Sequence, residues 1–221
     1  MSKKMMLLAL SAVCAALFAL PAVASANPPA HLEGLKDTSF TVHAGPGSLS
    51  TTGGETVTCT TTTGGGKLET TTTGSLSLIF HGCKAKTPFG ELTCTTSGQS
   101  SGTIATTALS FHLISGATST ARPFILVTPN AATATYAHFV CGGFVNKTVE
   151  GTGLLGTITA PGCDTAASKA TVDFNALGHG LKQHTTITGT TYTFTSNGTT
   201  AAMDTTPTIT FKESGFLNCT P

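Results

Sequence analysis

Apolar and polar side chains alternate along most of this chain with a period of two. Leu76, Leu78 and Phe80 share one face of their segment. Tyr192 and Phe194 do the same in a segment whose remaining positions are all threonine. A period of two with one apolar face is typical of half-buried strands, and helical spacing is rare beyond the N-terminal leader. The pattern therefore predicts a chain built mainly of short β-strands.

Residue usage and turn signals favour the same class. The chain holds 46 threonines, and threonine is β-branched and favoured in strands. Gly64–Gly66, Gly142–Gly143 and Asn197–Gly198 punctuate the alternating runs, and the Asn-Gly pair predicts a tight hairpin. Phe124–Val127 is continuously apolar, which indicates a central strand covered on both faces. About 11–13 short strands fit this spacing, so we expect an all-β fold, either a β-sandwich or a Greek-key barrel.

The first 26 residues have the pattern of a secretory signal peptide. Lys3 and Lys4 precede an apolar run from Met5 to Leu20, and small residues at Ala24–Ala26 favour cleavage before Asn27. The run is short for a bilayer span of about 20 residues and lacks flanking stop-transfer charges. No second run approaches that length. We therefore expect a secreted, extracellular protein with no membrane span in the mature chain.

Removing the leader from the 221-residue chain leaves 195 residues, which are enough for one domain with a real core. We expect a flexible lead-in over residues 27–37, because this stretch contains proline and lacks a clear pattern. A single β domain then covers residues 38–213. The last residues, 214–221, are expected to form a tail that Cys219 holds.

Six cysteines follow the leader, and an even set after an export signal predicts disulfides formed in an oxidising compartment. Their sequence allows fifteen connectivities and does not choose among them. Short loops with turn residues favour Cys83–Cys94 and Cys141–Cys163 as a first guess, which leaves Cys59–Cys219. Zinc half-sites at His81 with Cys83 and at His138 with Cys141 are an alternative by residue type. Because exported thiols oxidise, we expect disulfides, and we assign no metal and no cofactor.

Charge is sparse on this chain. Charged residues make up 10% of the sequence, against about a quarter in ordinary proteins. Without the two leader lysines, nine basic and ten acidic residues leave a net charge of −1. Nucleic-acid binding needs a basic footprint to neutralise phosphates, so a nucleic-acid partner is not expected.

One string resembles a catalytic motif. Gly98–Gly102 reads Gly-x-Ser-x-Gly, the nucleophile-elbow pattern, which has meaning only between a strand and a helix of an α/β sheet. Here it leads into residues 103–107, which have a strand pattern. We therefore assign no catalytic residue. A secreted hydrolase that uses Ser100 with a histidine base, such as His179 or His184, is kept as the alternative.

Two non-catalytic roles fit the composition. The chain has no tryptophan and only two tyrosines, which disfavours sugar binding on aromatic platforms. Low charge and many hydroxyls suit an envelope or matrix component, and exposed strand edges with few lysines are open to self-association. We expect a binding or structural protein whose partner is an extracellular ligand or a cell-envelope component of unknown identity.

Seven strings of this chain occur in an order that resembles a group of uncharacterised secreted proteins from soil actinobacteria: Val57–Thr60, Leu78–Cys83, Phe89–Cys94, Ser97–Ile104, Phe139–Cys141, Gly156–Pro161 and Gln183–Thr185. The resemblance covers most of residues 38–211. It implies an exported, Thr/Gly-rich β protein with several cysteines and carries no catalytic residue. As part of such a string, Gly98–Gly102 is interpreted as a turn. The tail at Cys219 departs from the ending usual in the group.

Overall fold

A computed structural model describes residues 30–88, 90–114, 122–130, 134–174, 186–187 and 190–219. The leader and its cleavage point lie outside the described residues. Within those residues the secondary structure is entirely strand and turn, so the all-β class is confirmed.

Twenty strands occupy the described chain, and we number them in sequence order. They are β1 (His31–Glu33), β2 (Ser39–Ala44), β3 (Gly47–Thr51), β4 (Thr56–Cys59), β5 (Thr61–Leu68), β6 (Thr73–His81), β7 (Lys84–Thr87), β8 (Gly90–Thr95), β9 (Ile104–Ala105), β10 (Leu109–Ile114), β11 (Phe124–Pro129), β12 (Thr135–Cys141), β13 (Val145–Gly151), β14 (Leu154–Ala160), β15 (Thr165–Asp173), β16 (Thr186–Ile187), β17 (Thr190–Thr191), β18 (Phe194–Ser196), β19 (Thr199–Asp204) and β20 (Thr208–Asn218).

Sixteen of these strands form two closed rings of eight. The first ring runs β2-β5-β6-β10-β11-β14-β15-β20 and closes by pairing β20 with β2. The second ring runs β3-β4-β7-β8-β12-β13-β18-β19 and closes by pairing β19 with β3. Strand β1 adds to β20, β9 adds to β6, and β16 pairs with β17 apart from both rings.

Both rings are built by the same eight chain segments in the same order. In chain order, these segments carry the strand pairs β2 and β3, β4 and β5, β6 and β7, β8 and β10, β11 and β12, β13 and β14, β15 and β18, and β19 and β20. Each contributes a strand to either ring, and every pairing between neighbours is antiparallel. The result is an eight-stranded up-and-down barrel whose long strands are each interrupted at one level, which we call the waist.

This architecture refines the expectation from sequence. Of the two arrangements considered, the barrel forms, and its connections run between nearest neighbours rather than as a Greek key. The described chain has twenty strands rather than about 11–13, because each of the eight segments contributes two strands and four short strands lie outside the rings.

The alternating sequence pattern places apolar side chains inside the barrel. Along β2, exposed and buried positions alternate, and Phe40, Val42 and Ala44 point inward. Strand β11 is covered on both faces as expected, since Ile125, Leu126 and Val127 are all buried. One hydrophobic cluster includes residues of both rings, so the two rings share a core.

The predicted Asn-Gly hairpin is confirmed between β18 and β19. Asn197 and Gly198 have φ values of 48° and 75°, the left-handed pair that a two-residue type I′ turn requires. The Asn197 side chain also accepts a hydrogen bond from the Thr148 amide at 2.8 Å and donates one to the Asn146 carbonyl at 3.0 Å. This turn is therefore fixed to β13, the neighbouring strand of the ring.

All six cysteines of the described residues form disulfides, as predicted, but the guessed pairing is wrong at every bridge. Instead of Cys83–Cys94, Cys141–Cys163 and Cys59–Cys219, the bonds are Cys59–Cys83, Cys94–Cys141 and Cys163–Cys219. The bonds to Cys83 and Cys141 also overturn the zinc half-sites, because neither thiol is free to ligate a metal.

The reason for the wrong pairing is that four cysteines lie side by side on neighbouring segments near the waist. Cys94 is the register partner of Cys141, and the Cys94 amide donates to the Cys83 carbonyl at 3.0 Å. Cys83 and Cys94 are thus neighbours, as their short loop predicts. Each of them has a second cysteine on its other side, and the bond forms there.

The two ends of the domain differ from the expected boundaries. Within the expected lead-in, residues 31–33 form β1 against β20, and Leu35 is fully buried. A Cβ atom at Gly215 would lie 2.2 Å from the Leu35 Cγ, so the absence of a side chain there makes room for the leucine. Strand β20 continues through the expected boundary at 213 to Asn218, and Cys219 holds the tail through Cys163.

Candidate functional site

The barrel interior contains a cavity of about 140 Å³. Its exposed surface consists of apolar atoms of residues from both rings, and no charged residue of the described chain lines it. Eight strands leave an interior that is either filled by side chains or wide enough for one small ligand. The cavity shows that in this barrel the side chains do not fill the interior completely.

Three phenylalanines cross the interior of the first ring. Phe40 lies edge-on to Phe111, with ring centroids 5.7 Å apart, and edge-on to Phe211 at 6.1 Å. Glycines beneath the rings make this packing possible. A Cβ atom at Gly66 would lie 2.7 Å from the Phe40 Cζ, and one at Gly74 would lie 2.6 Å from the Phe111 ring. The glycines therefore shape the cavity wall.

Tyr136 marks the other half of the cavity. Its ring meets Phe194 edge-on at 5.2 Å, and its hydroxyl donates to the Val127 carbonyl at 2.8 Å. Burial raises the pKa of Tyr136 well above its usual range, because desolvation disfavours the phenolate. Tyr136 therefore lines the site as a neutral phenol, and its hydroxyl proton is already donated to the Val127 carbonyl.

Two buried threonine hydroxyls near the waist have no hydrogen-bond partner. Both residues border the cavity, but the surface of the cavity is formed by apolar atoms, so neither hydroxyl faces into it. Thr62 is 3% exposed and Thr205 is 4% exposed. Thr62 is the register partner of Ala44 at the end of β2, and a Cβ atom at Gly47 would lie 3.1 Å from the Thr205 hydroxyl oxygen. The two hydroxyls thus flank the break between β2 and β3.

The outer end of the second ring carries an ion pair between a buried lysine and an exposed glutamate. The Lys147 side chain is 8% exposed, and its ammonium donates to the Glu55 carboxylate at 2.5 Å. Thr51 and Ser196, both buried, border the same small pocket of about 60 Å³. Sequence reasoning missed this group. The available signal was Lys147 at an inward position of a strand, between Val145 and Val149.

The residues of the alternative hydrolase do not form a site in the described chain. Ser100 lies in the turn between β8 and β9, where its hydroxyl is 3.0 Å from that of Thr103 and its carbonyl accepts the Thr103 amide. Gly98 and Gly102 both have positive φ, so the string forms a glycine-rich turn rather than a strand-to-helix elbow. His179 and His184 lie outside the described residues.

Comparison with known proteins gives no further identification. The chain matches no family model, and it has no significant match among curated proteins or among solved structures. Among the described residues there is no group of three or more metal-ligating side chains. The same part of the chain contains no helix with the length and hydrophobicity needed to cross a bilayer.

Proposed function

We propose that this protein is a secreted, non-catalytic binding protein that holds one small apolar molecule inside its barrel. The observation that carries the proposal is the cavity of about 140 Å³ in the barrel, whose surface is apolar. Ligand sites in barrels lie in the interior and its mouths. Three intramolecular disulfides are consistent with an extracellular protein, and the N-terminal leader supports export. The resemblance to secreted actinobacterial proteins stays a prediction.

The size of the cavity limits the ligand. An engineered apolar cavity of about 150 Å³ in another protein stays dry and binds benzene. A cavity of about 140 Å³ therefore fits a molecule of one ring. Larger ligands, such as long-chain lipids, need pockets of about 300 Å³ or more.

The structural role that sequence also suggested receives less support. Assembly through strand edges needs exposed edges, and closure of both rings removes them from sixteen strands. Within the described chain, the strands added at the margin of the first ring are β1, with three residues, and β9, with two. Such short edges offer little backbone for pairing with a second copy.

Ligand binding can be tested with one matched pair of variants on β15. Ala170 is buried and lines the cavity, whereas Ala166 is exposed on the same strand. We expect benzene or cyclohexane to bind the oxidised mature protein, detected by NMR shifts of cavity methyl groups. Ala170→Leu should weaken that binding at least tenfold, and Ala166→Leu should leave it unchanged.

Failure of both hydrocarbons to perturb cavity methyls in the natural protein would contradict the proposal. Equal effects of the two leucine variants would contradict it as well, because binding would then occur elsewhere. Export is tested separately by expressing the full chain and measuring the mass of protein released to the medium. Cleavage after Ala26 with loss of all six thiols is the expected result.

A further inference from the structure

We infer that the ligand enters and leaves the barrel through the outer end of the second ring, and that the Lys147–Glu55 ion pair is the gate of this route. The inference rests on the proposed function and adds how that site exchanges its ligand. It is carried by the small pocket of about 60 Å³ at this end, which the ion pair borders and which adjoins the barrel cavity.

The small pocket lies inside the second ring rather than on its outer wall. Its lining residues come from seven of the eight strands of that ring, namely β3, β4, β7, β8, β12, β13 and β18. A space that is bordered by strands nearly all the way around a closed ring lies within the ring. The pocket is therefore the mouth of the second ring.

Two side chains stand between this mouth and the barrel cavity. Leu49 and Val57 border both spaces, and they are register partners on β3 and β4. Val57 also pairs with Ala85 of β7, whose small side chain borders the mouth. A rotamer change of Leu49 and Val57, of the kind that occurs even in packed interiors, would connect the mouth with the cavity.

The ion pair reaches across the mouth. Lys147 belongs to β13, and Glu55 ends the turn that joins β3 to β4. In ring order, β13 is three strands away from β3 and four away from β4. The two side chains therefore come from opposite sides of the ring, and the Lys147 ammonium donates to the Glu55 carboxylate at 2.5 Å. A molecule that passes through the mouth has to displace this contact.

The contact can open without a change in the backbone. The Glu55 side chain is 54% exposed, so water solvates the carboxylate once it leaves the lysine. The Glu55 backbone is held separately, because its amide donates to the Thr51 hydroxyl at 3.2 Å and its carbonyl accepts the Thr51 amide at 2.9 Å. The carboxylate can therefore swing away while the turn keeps its shape.

The outer end of the first ring offers a costlier route. There β1 pairs with the last residues of β20, Leu35 and Leu217 are buried, and the Cys163–Cys219 bridge anchors the strand end. Opening this end breaks backbone hydrogen bonds and exposes apolar side chains to water. Opening the mouth of the second ring breaks one side-chain ion pair that solvent partly screens. Exchange through the second ring is therefore favoured.

The test measures how fast benzene or cyclohexane enters and leaves the oxidised mature protein, by NMR relaxation dispersion of cavity methyl groups. Glu55→Gln weakens the gate. Ala85→Val fills part of the mouth and adds no atom to the cavity wall, because Ala85 borders the mouth and not the cavity. Glu91→Gln, which removes a surface ion pair with Lys84, is the matched control.

We expect Glu55→Gln to raise the association and dissociation rates together by about fivefold, the change that follows when a barrier loses a partly screened ion pair. Ala85→Val should lower both rates. The dissociation constant should stay the same in both variants, because neither substitution touches the bound ligand. Glu91→Gln should match the natural protein.

Ionic strength gives a second measurement that needs no substitution at the gate. Salt screens charges that are exposed to solvent, so high ionic strength should speed exchange in the natural protein. The same change should have no effect on exchange in Glu55→Gln. A purely structural role of the ion pair would not produce this difference.

Unchanged rates in Glu55→Gln, or exchange in the natural protein that is insensitive to salt, would overturn the inference. So would faster exchange in the double variant Cys163→Ala with Cys219→Ala, which loosens the outer end of the first ring and should leave both rates as they are. In each of these cases the hydrocarbon still binds and the proposed function stands. If neither hydrocarbon binds the natural protein, the proposed function fails and this inference fails with it.

Discussion

Lys147 and Glu55 are separated by 92 residues along the chain, and their side chains form an ion pair at the outer end of the second ring. The lysine is 8% exposed, whereas the carboxylate is 54% exposed. Because only one member is buried, removing the exposed member leaves a buried charge without its partner.

We expect Glu55→Gln to lower the free energy of unfolding by about 1–2 kcal/mol, a value reduced from that of a fully buried pair because solvent screens the glutamate. Lys147→Met should cost less, since it replaces the charge with an apolar chain. Urea denaturation of the two variants measures the difference. In the control, Glu91→Gln should have no measurable effect, since its pair with Lys84 lies on the surface. A Glu55→Gln protein as stable as the control would contradict this account.

Gly66 and Gly45 provide a matched test of the close packing in the first ring. A Cβ atom at Gly66 would lie 1.9 Å from the Ser75 carbonyl and 2.7 Å from Phe40, whereas nothing lies within 4 Å at Gly45. We expect Gly66→Ala to destabilise the protein by about 2–3 kcal/mol through overpacking. Gly45→Ala should be neutral or slightly stabilising. Thermal unfolding of both variants tests the prediction. Similar melting temperatures would show that the residues around Gly66 can move to accommodate a methyl group without destabilising the protein.

Tyr136 predicts a loss of stability at high pH. Its pKa is raised in the folded protein by burial, while in the unfolded chain the phenol ionises near pH 10. Above about pH 10 the unfolded state binds fewer protons than the folded state, so stability falls as pH rises. Denaturation at pH 9 and at pH 11 should show a smaller loss in Tyr136→Phe than in the natural protein. Equal pH dependence in the two proteins would assign the effect to other groups.

The Cys163–Cys219 bridge joins positions 56 residues apart and anchors the end of β20. We expect the double variant Cys163→Ala with Cys219→Ala to lose about 2–4 kcal/mol of stability. Hydrogen exchange should rise first in β1 and in residues 216–218 at the end of β20, because β1 pairs with these three residues. If exchange instead rises evenly over both rings, the bridge stabilises the whole barrel and not this end.

The strand content of this fold could be predicted from the sequence because apolar and polar residues alternate with a period of two in most segments. The alternation at Phe40 and Val42 and the apolar run at Ile125–Val127 both lead to the buried positions that the structure shows. The Asn197–Gly198 hairpin was likewise predictable, because its turn type depends on two adjacent residues.

Ring closure and the choice of disulfide partners were not predictable, because both depend on contacts between distant segments. Cys83 has cysteines on two neighbouring segments, and local sequence cannot rank them. The candidate site was missed for a related reason. The apolar residues that line the cavity look like the core of any sheet protein, and only closure of the barrel leaves a space between them.

The pairing of Phe40 with Phe211 has a consequence for how the chain reaches this structure. The first ring cannot close until a segment made near the end of synthesis meets one made near its beginning. The interior of the first ring can therefore be completed only after most of the chain has been synthesised. Contacts between residues so far apart in sequence are also slow to form.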